Sequence, residues 1–276
     1  MSTVTSIEEL AARAVSGERD ALDDLVVAVQ LDVYRLGIRM LADPIAAQDA
    51  TQEILIRVIT HLASFHGESS LRTWIWRIAT RHLLQTRRSR REIATDFDQI
   101  ARMIDAGASV TDPTIDALDA RRLADDVRRG CTQAMLLALD REQRLAYVLG
   151  DLFELGAEQA AEVLEIAPAT YRKRLERARS RLSQFMTRKC GIVNPVAACR
   201  CLRQLPFALA NGLVSPTLPS KPSPSTHDFD DAYAQMGELE RIATLYRRDD
   251  ATEAPAPIAE EIRRLVRHRR LPLLNA

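Results

Sequence analysis

An all-α protein is predicted: two small helical domains joined by a flexible linker, followed by a mainly helical C-terminal extension. Three observations carry this. Apolar residues recur at three- and four-residue spacing almost throughout, and alternating, strand-like runs are missing. Basic residues gather in two stretches with an acidic stretch between them. The chain has 276 residues, 46% of them hydrophobic, enough for two or three small cores without requiring one compact enzyme domain.

The first helix to read clearly follows Asp20, a predicted N-cap, and carries the stripe Leu22, Leu25, Val26, Val29, Val33, Leu36 and Met40. Asp43-Pro44 restarts a helix, with Asp43 capping and Pro44 in the first helical position. Ile45, Ile54, Leu55, Val58, Ile59 and Leu62 form its apolar side, and it ends before His66-Gly67. A third helix begins after Ser69-Ser70 and runs through Trp74, Ile75, Ile78, Leu83 and Leu84 into an arginine cluster, closing a domain over residues 1–92. Residues 93–114 read as an acidic linker with poor periodicity, within which Phe97 to Ile104 could make a short helix. Periodicity returns in a second domain, 115–189. There Asp140-Arg141-Glu142-Gln143 has capping-box spacing, Gly156 breaks a helix, and Ala157 to Leu164 followed by Pro168 to Met186 make a bihelical unit. Residues 190–276 form the extension. Cys190 to Thr226 is expected to be largely irregular, because prolines cluster at 216, 219, 222 and 224. Two amphipathic stripes follow: Phe229, Ala232, Tyr233, Met236, Leu239, Ala243 and Tyr246, then Ile258, Ile262, Leu265 and Val266.

Charge sharpens the functional reading. With 38 basic and 38 acidic residues the formal charge is zero, so segregation decides. Arg72, Arg77, Arg81, Arg87, Arg88, Arg90 and Arg91 form one basic stretch, and Arg172, Lys173, Arg174, Arg177, Arg179 and Arg181 the other. Two such faces can each meet a phosphate backbone while the whole chain stays neutral. No run approaches the length of a membrane span and the N-terminus lacks a secretory pattern, so a cytoplasmic protein with no membrane partner is expected.

Within the bihelical unit, Ala160 and Ala161 permit close helix approach, while Leu164, Ile166, Tyr171, Leu175, Ala178 and Leu182 fill the interface. Thr170, Tyr171, Arg172, Lys173, Arg174 and Arg177 sit on the N-terminal half of the second helix, the part of a recognition helix that enters the major groove. A solvated basic face is the plain alternative. Upstream, Phe65, His66, Ser69, Ser70, Arg72, Trp74, Arg77 and Arg81 combine small polar loop residues, aromatic rings and cations, a set suited to holding extruded bases. Trp74 and Trp76 cannot share one helix face, and Trp74 is favoured as packing and loop support. Asp49, Gln52 and Glu53 lie on one helix face, a solvated cluster or a docking patch for a basic protein partner.

These motifs, in this order, resemble the extracytoplasmic-function (ECF) sigma factors of bacterial RNA polymerase over roughly residues 7 to 187. Asp49-Ala50-Thr51-Gln52-Glu53 is similar to the region-two segment that docks on the polymerase clamp. Phe65 to Trp74 resembles the loop and helix that recognise and melt the minus-ten element. Leu139 to Arg144 and Ile166 to Leu182 resemble region four, which reads the minus-thirty-five element, and the acidic linker resembles the connector through the RNA exit path. The resemblance implies core RNA polymerase and promoter DNA as partners, with an anti-sigma factor or self-inhibition by the extension as regulators. It implies no catalytic role and no required cofactor. Two positions depart from the family pattern: Arg81 stands where asparagine is common, and Glu165 where glycine is common in the helix-turn-helix. Ala167 replaces a common serine cap.

Four cysteines are too few and too unevenly spaced for a disulfide framework. Cys190, Cys199 and Cys201 could hold zinc or another thiophilic metal, with His227 as a fourth ligand, or could be buried thiols without a ligand role. The rival function is a helix-turn-helix repressor that acts without polymerase. An enzyme is disfavoured, since no phosphate-binding glycine loop, zinc-protease helix or nucleophile elbow is found.

Overall fold

The computed structural model of the protein describes residues 6–107, 117–215 and 237–248, with Ile258, Glu260, Ile262 and Arg264 beyond them. Among the described residues there is no β-strand, and one isolated parallel bridge joins Cys190 to Cys199. The chain divides into two compact units. One contains Met1–Arg87 and Leu155–Arg172, with the described positions after Glu253; the other contains Arg88–Glu154 and Lys173–Thr252.

In the first unit, α1 (Ile7–Val15) starts on Ser6, whose hydroxyl accepts from the Glu9 amide. α2 (Arg19–Leu41) buries every member of its predicted stripe, from Leu22 to Met40. It begins one residue before the predicted cap: Glu18 holds the N-cap position without a side-chain bond, and Asp20 lies in the first turn, where a carboxylate complements the helix dipole. α3 (Pro44–Thr60) starts as predicted, with Asp43 Oδ1 accepting from Ile45 and Ala46 at 2.9 and 3.1 Å. Ile45 is a correction: it is 74% exposed, because the apolar face of α3 begins only at Ala47. α2 and α3 approach closely at Gly37, where an added Cβ would stand 3.4 Å from the Ala47 carbonyl oxygen. A 3-10 turn (Leu62–Ser64) and a loop then lead into α4 (Leu71–Gln85), which packs on α3 and on α9 (Ala157–Leu164).

The second unit holds α5 (Arg90–Ala94), α6 (Phe97–Gly107), α7 (Ala117–Leu137), α8 (Arg141–Tyr147) with a following π-helical turn (Val148–Leu152), the body of α10 (Pro168–Lys189), α11 (Cys201–Ala210) and α12 (Glu238–Arg248). The short helix expected within the linker is three residues longer, and it packs on α7 and α11. Asp140 caps α8 by accepting from the Gln143 amide at 2.8 Å. The capping box is only half formed, because Gln143 Oε1 accepts from Arg181 instead of reaching back.

α11 is an element the sequence reading assigned to irregular chain. Pro206 lies inside it and removes the amide that would bond to the Leu202 carbonyl. Packing offsets the loss: Leu205 and Ala208 are buried, and Gln204 Nε2 donates to the Ile104 carbonyl at 2.9 Å. In α12, Ile242, Ala243, Leu245 and Tyr246 are buried, whereas Leu239, expected in the apolar stripe, is 46% exposed. Phe229, Ala232, Tyr233, Met236, Leu265, Val266 and His227 lie outside the described residues.

A buried ionic cluster ties α5 to α8. Glu92 accepts from Arg141 Nε and Nη2 at 2.7 Å each and lies 3.3 Å from Arg144 Nη1. Arg144 also donates to the carbonyls of Leu136, Leu137 and Leu139, which satisfies the C-terminal end of α7. Burial pushes the Arg144 guanidinium down to about 10, still charged at neutral pH. Burial pushes the Glu92 carboxyl up, but the Arg141 hydrogen bonds and the charges of Arg144 and Arg141 outweigh it and hold the group below its ordinary value.

Candidate nucleic-acid interface

The residues expected to meet melted DNA sit at the start and along one side of α4. Ser70 caps the helix, its hydroxyl accepting from the Thr73 amide at 3.1 Å and standing 2.9 Å from the Thr73 hydroxyl. The loop before it is propped by Phe65 against Trp74, ring centroids 5.6 Å apart and tilted by 50°. His66 and Ser70 are exposed and Ser69 is half-buried. Trp74 supports the loop as expected from the sequence. Trp76 is the ring committed to the core at 4% exposure, so it presents no face to a base. Arg72 is exposed and paired with Asp32 at 2.8 Å. Arg77 is half-buried and Arg81 exposed, and both turn toward α9.

On α3, Asp49 and Glu53 are exposed and Gln52 is half-buried, so the three predicted docking residues form one polar strip at the surface. Glu53 lies 3.9 Å from His82 Nε2 on α4. Burial and the charge of Arg57 lower the His82 imidazole below its ordinary value against the opposing pull of Glu53.

The helix-turn-helix is closed by backbone bonds: the Ile166 amide donates to the Ala161 carbonyl and the Glu165 amide to the Glu162 carbonyl. Glu165 is left-handed at φ +53°, the C-terminal conformation that glycine adopts without penalty. α10 starts from the Ala167 carbonyl, which accepts from Thr170 and Tyr171, and no side-chain cap is available at Ala167. Thr170, Arg172, Lys173 and Arg177 are exposed. Arg172 pairs with Glu158 at 3.2 Å, and half-buried Arg174 with Glu142 at 2.6 Å. Tyr171, at 0% exposure, fills the helix interface as its place in the apolar set predicts, and its side chain is withdrawn from the exposed residues expected to meet DNA.

In the extension, Cys199 and Cys201 line a cavity of about 150 Å³ between α6, α7 and α11, and the β-bridge sets Cys190 beside Cys199. Cys131 of α7 lines the same cavity, a fourth thiol that sequence reading missed. No spacing signal links it to the others; on a helix it reads as a small apolar residue. Burial pushes all four thiols up, Cys199 to about 11. Elevated thiols oppose the thiolate form that a thiophilic ion needs. Among the described residues, which do not include His227, no group of three or more His, Cys, Asp or Glu side chains is placed to hold a metal ion. Among the same residues no helix is long and apolar enough to cross a membrane.

Two family models match the chain: Sigma-70 region 2 over residues 25–93 and Sigma-70, region 4 over residues 129–182. The RNA polymerase sigma-H factor of Pseudomonas aeruginosa is 29% identical over 191 residues, a match covering 67% of this chain and 96% of that protein. The ECF RNA polymerase sigma factor SigC of Mycobacterium tuberculosis is 31% identical over 189 residues, covering 64% of this chain and 89% of its own length. A solved structure, CnrH in complex with the cytosolic domain of CnrY, is 20% identical and covers 64% of this chain and 94% of that one, with a TM-score of 0.46. The present chain is longer than these relatives, consistent with an extension after region four. With both sigma regions matched in order, and with relatives aligned over nearly their whole length, the chain belongs to the extracytoplasmic-function (ECF) sigma factors.

Proposed function

We infer that this sigma factor directs core RNA polymerase to its promoters in the cytoplasm and assists in melting them, while catalysis belongs to the polymerase. Asp49, Gln52 and Glu53 dock on the polymerase. Phe65, His66, Ser69, Ser70, Arg72, Trp74, Arg77 and Arg81 recognise and hold the minus-ten element, and Thr170, Arg172, Lys173, Arg174 and Arg177 read the minus-thirty-five element over the support of Tyr171. The working regions are 1–92, 93–114, 115–189 and 190–276. The observation that carries this reading is the pairing of an exposed acidic strip on α3 with a serine-capped α4, followed by a second, exposed cationic helix start on α10. The experiment is transcription by core enzyme with and without the protein. Selective transcripts that need the protein support the reading, and tight duplex binding without polymerase would favour the repressor instead.

Residues 190–276 tune this activity, alone or with an anti-sigma protein. Packing of α11 on α6 and α7 supports that role, since it couples the extension to the linker and to the helix that leads into region four. Truncation after Lys189 should change transcriptional output. A thiophilic ion such as zinc would have to draw Cys190, Cys199, Cys201 and Cys131 into a new arrangement. Stoichiometric metal in the purified protein supports that, and metal-free, fully active protein leaves the thiols as packing.

A further inference from the structure

The cavity of about 150 Å³ lies wholly within the second compact unit, and its walls carry more than packing requires. α6 contributes Ile100 and Ile104, α7 Val127 and Ala134, and α11 Phe207 and Ala208, so its body is apolar. Burial raises the thiols of Cys131, Cys199 and Cys201, which therefore line it as neutral groups. Gly130, in the interior of α7, lines it as well. Helix interiors disfavour glycine, and neither usual reason for keeping one holds here: the backbone is not left-handed, and an added Cβ would meet nothing within 4 Å. What the missing side chain leaves is open space at the cavity wall. Two charged residues complete the lining. Asp126 is paired with Arg129 of its own helix, and Arg91 is exposed, the one cation among the described lining residues.

Protein interiors pack with few voids larger than a water molecule, and an apolar chamber of this volume is enough to hold a benzene-sized ring. Apolar walls with a few polar groups to fix orientation are the usual form of a small-molecule site. We propose that this cavity binds a small monocarboxylate with an apolar body, of about ten non-hydrogen atoms, its ring or short chain among the α6, α7 and α11 side chains and its carboxylate on the Arg91 guanidinium. Arginine offers such a carboxylate a planar fork of donors. α6 lies in the linker, α7 leads into region four and α11 belongs to the extension, so one occupant touches all three. Binding itself does not rest on the sigma-factor assignments; an effect on transcription does.

The test uses the full-length protein with benzoate as the probe and uncharged benzyl alcohol beside it, at constant ionic strength. Alkylation of each cysteine by N-ethylmaleimide is followed by mass spectrometry. Benzoate should slow the reaction of Cys131, Cys199 and Cys201 about threefold or more, while Cys190, which is not among the lining residues, serves as the reference. Benzyl alcohol should need about threefold to tenfold higher concentration for the same protection, and Arg91→Ala should erase that difference. Gly130→Leu fills the open space and favours the helix, so it should melt no lower than the parent and lose protection by both probes. No protection by benzoate at about 10 mM would overturn the proposal, as would equal slowing of all four cysteines. Equal protection by the two probes, a preference for benzoate that survives Arg91→Ala, or protection that persists in Gly130→Leu would overturn it too. Neither polymerase nor promoter is present, so failure here is distinct from failure of the transcription experiment.

Discussion

Glu92 and Arg141 meet in a buried, two-pronged ion pair that joins the end of the first sigma region's match to the opening turn of α8. Removing one member of such a pair leaves charge stranded in a low-dielectric site, and here two guanidinium groups would be stranded at once. Glu92→Ala should cost about 3–5 kcal/mol of stability, read from the denaturant midpoint of the unfolding transition. The pH dependence has a definite sign. Because the folded carboxyl lies below its ordinary value, its contribution is complete above the unfolded pKa and is lost as pH falls through the folded one. Glu92→Gln should therefore flatten the acid side of the stability curve.

The Ser70 hydroxyl starts the helix on which Trp74, Arg77 and Arg81 are mounted. Ser70→Ala should cost about 1 kcal/mol of stability. The fraying should also weaken promoter melting by holoenzyme, while assembly with core polymerase is unaffected. Permanganate reactivity of the melted strand, measured beside a polymerase binding curve, separates the two effects.

Asp49 and Glu53 present charge at the surface without contributing to the apolar core. Replacing both by lysine should weaken polymerase binding about tenfold or more and leave the unfolding transition within about 0.5 kcal/mol of the parent. A binding isotherm and a melt on the same preparation check both halves.

On α10, Arg172 and Arg177 are exposed while Tyr171 is wholly buried, so the two kinds of residue should fail differently. Arg172→Ala and Arg177→Ala should each cost up to about 1–3 kcal/mol of promoter affinity where they meet a base, or lower the salt slope by about one where they meet a phosphate. Tyr171→Ala should instead destabilise the fold by about 3–5 kcal/mol. Footprints across a salt series, set beside unfolding curves, distinguish reading from support.

Much of this was legible in the sequence because it is written in short-range terms. The stripe from Leu22 to Met40 and the Asp43-Pro44 start depend on residues within a few positions of one another, and both appear as read. What escaped depends on distant partners. α11 forms despite Pro206 because α6 and α7 lie against it. Cys131 joins the extension's thiols only through the packing of α7 with α11. The exposed set on α10 was readable from its charges, and the burial of Tyr171 from its place in the apolar set that fills the helix interface. Arg81 and Glu165 each looked like an isolated departure, and their pairing emerges only when α4 and α9 come together.

Promoter selectivity conferred on core RNA polymerase is the property on which the other assignments depend. Run-off transcription of fragmented genomic DNA from the source organism, by core enzyme with and without the full-length protein, tests it most directly. A small set of discrete start sites should need the protein and be lost when Asp49 and Glu53 are reversed in charge. An identical transcript pattern with and without the protein would contradict it.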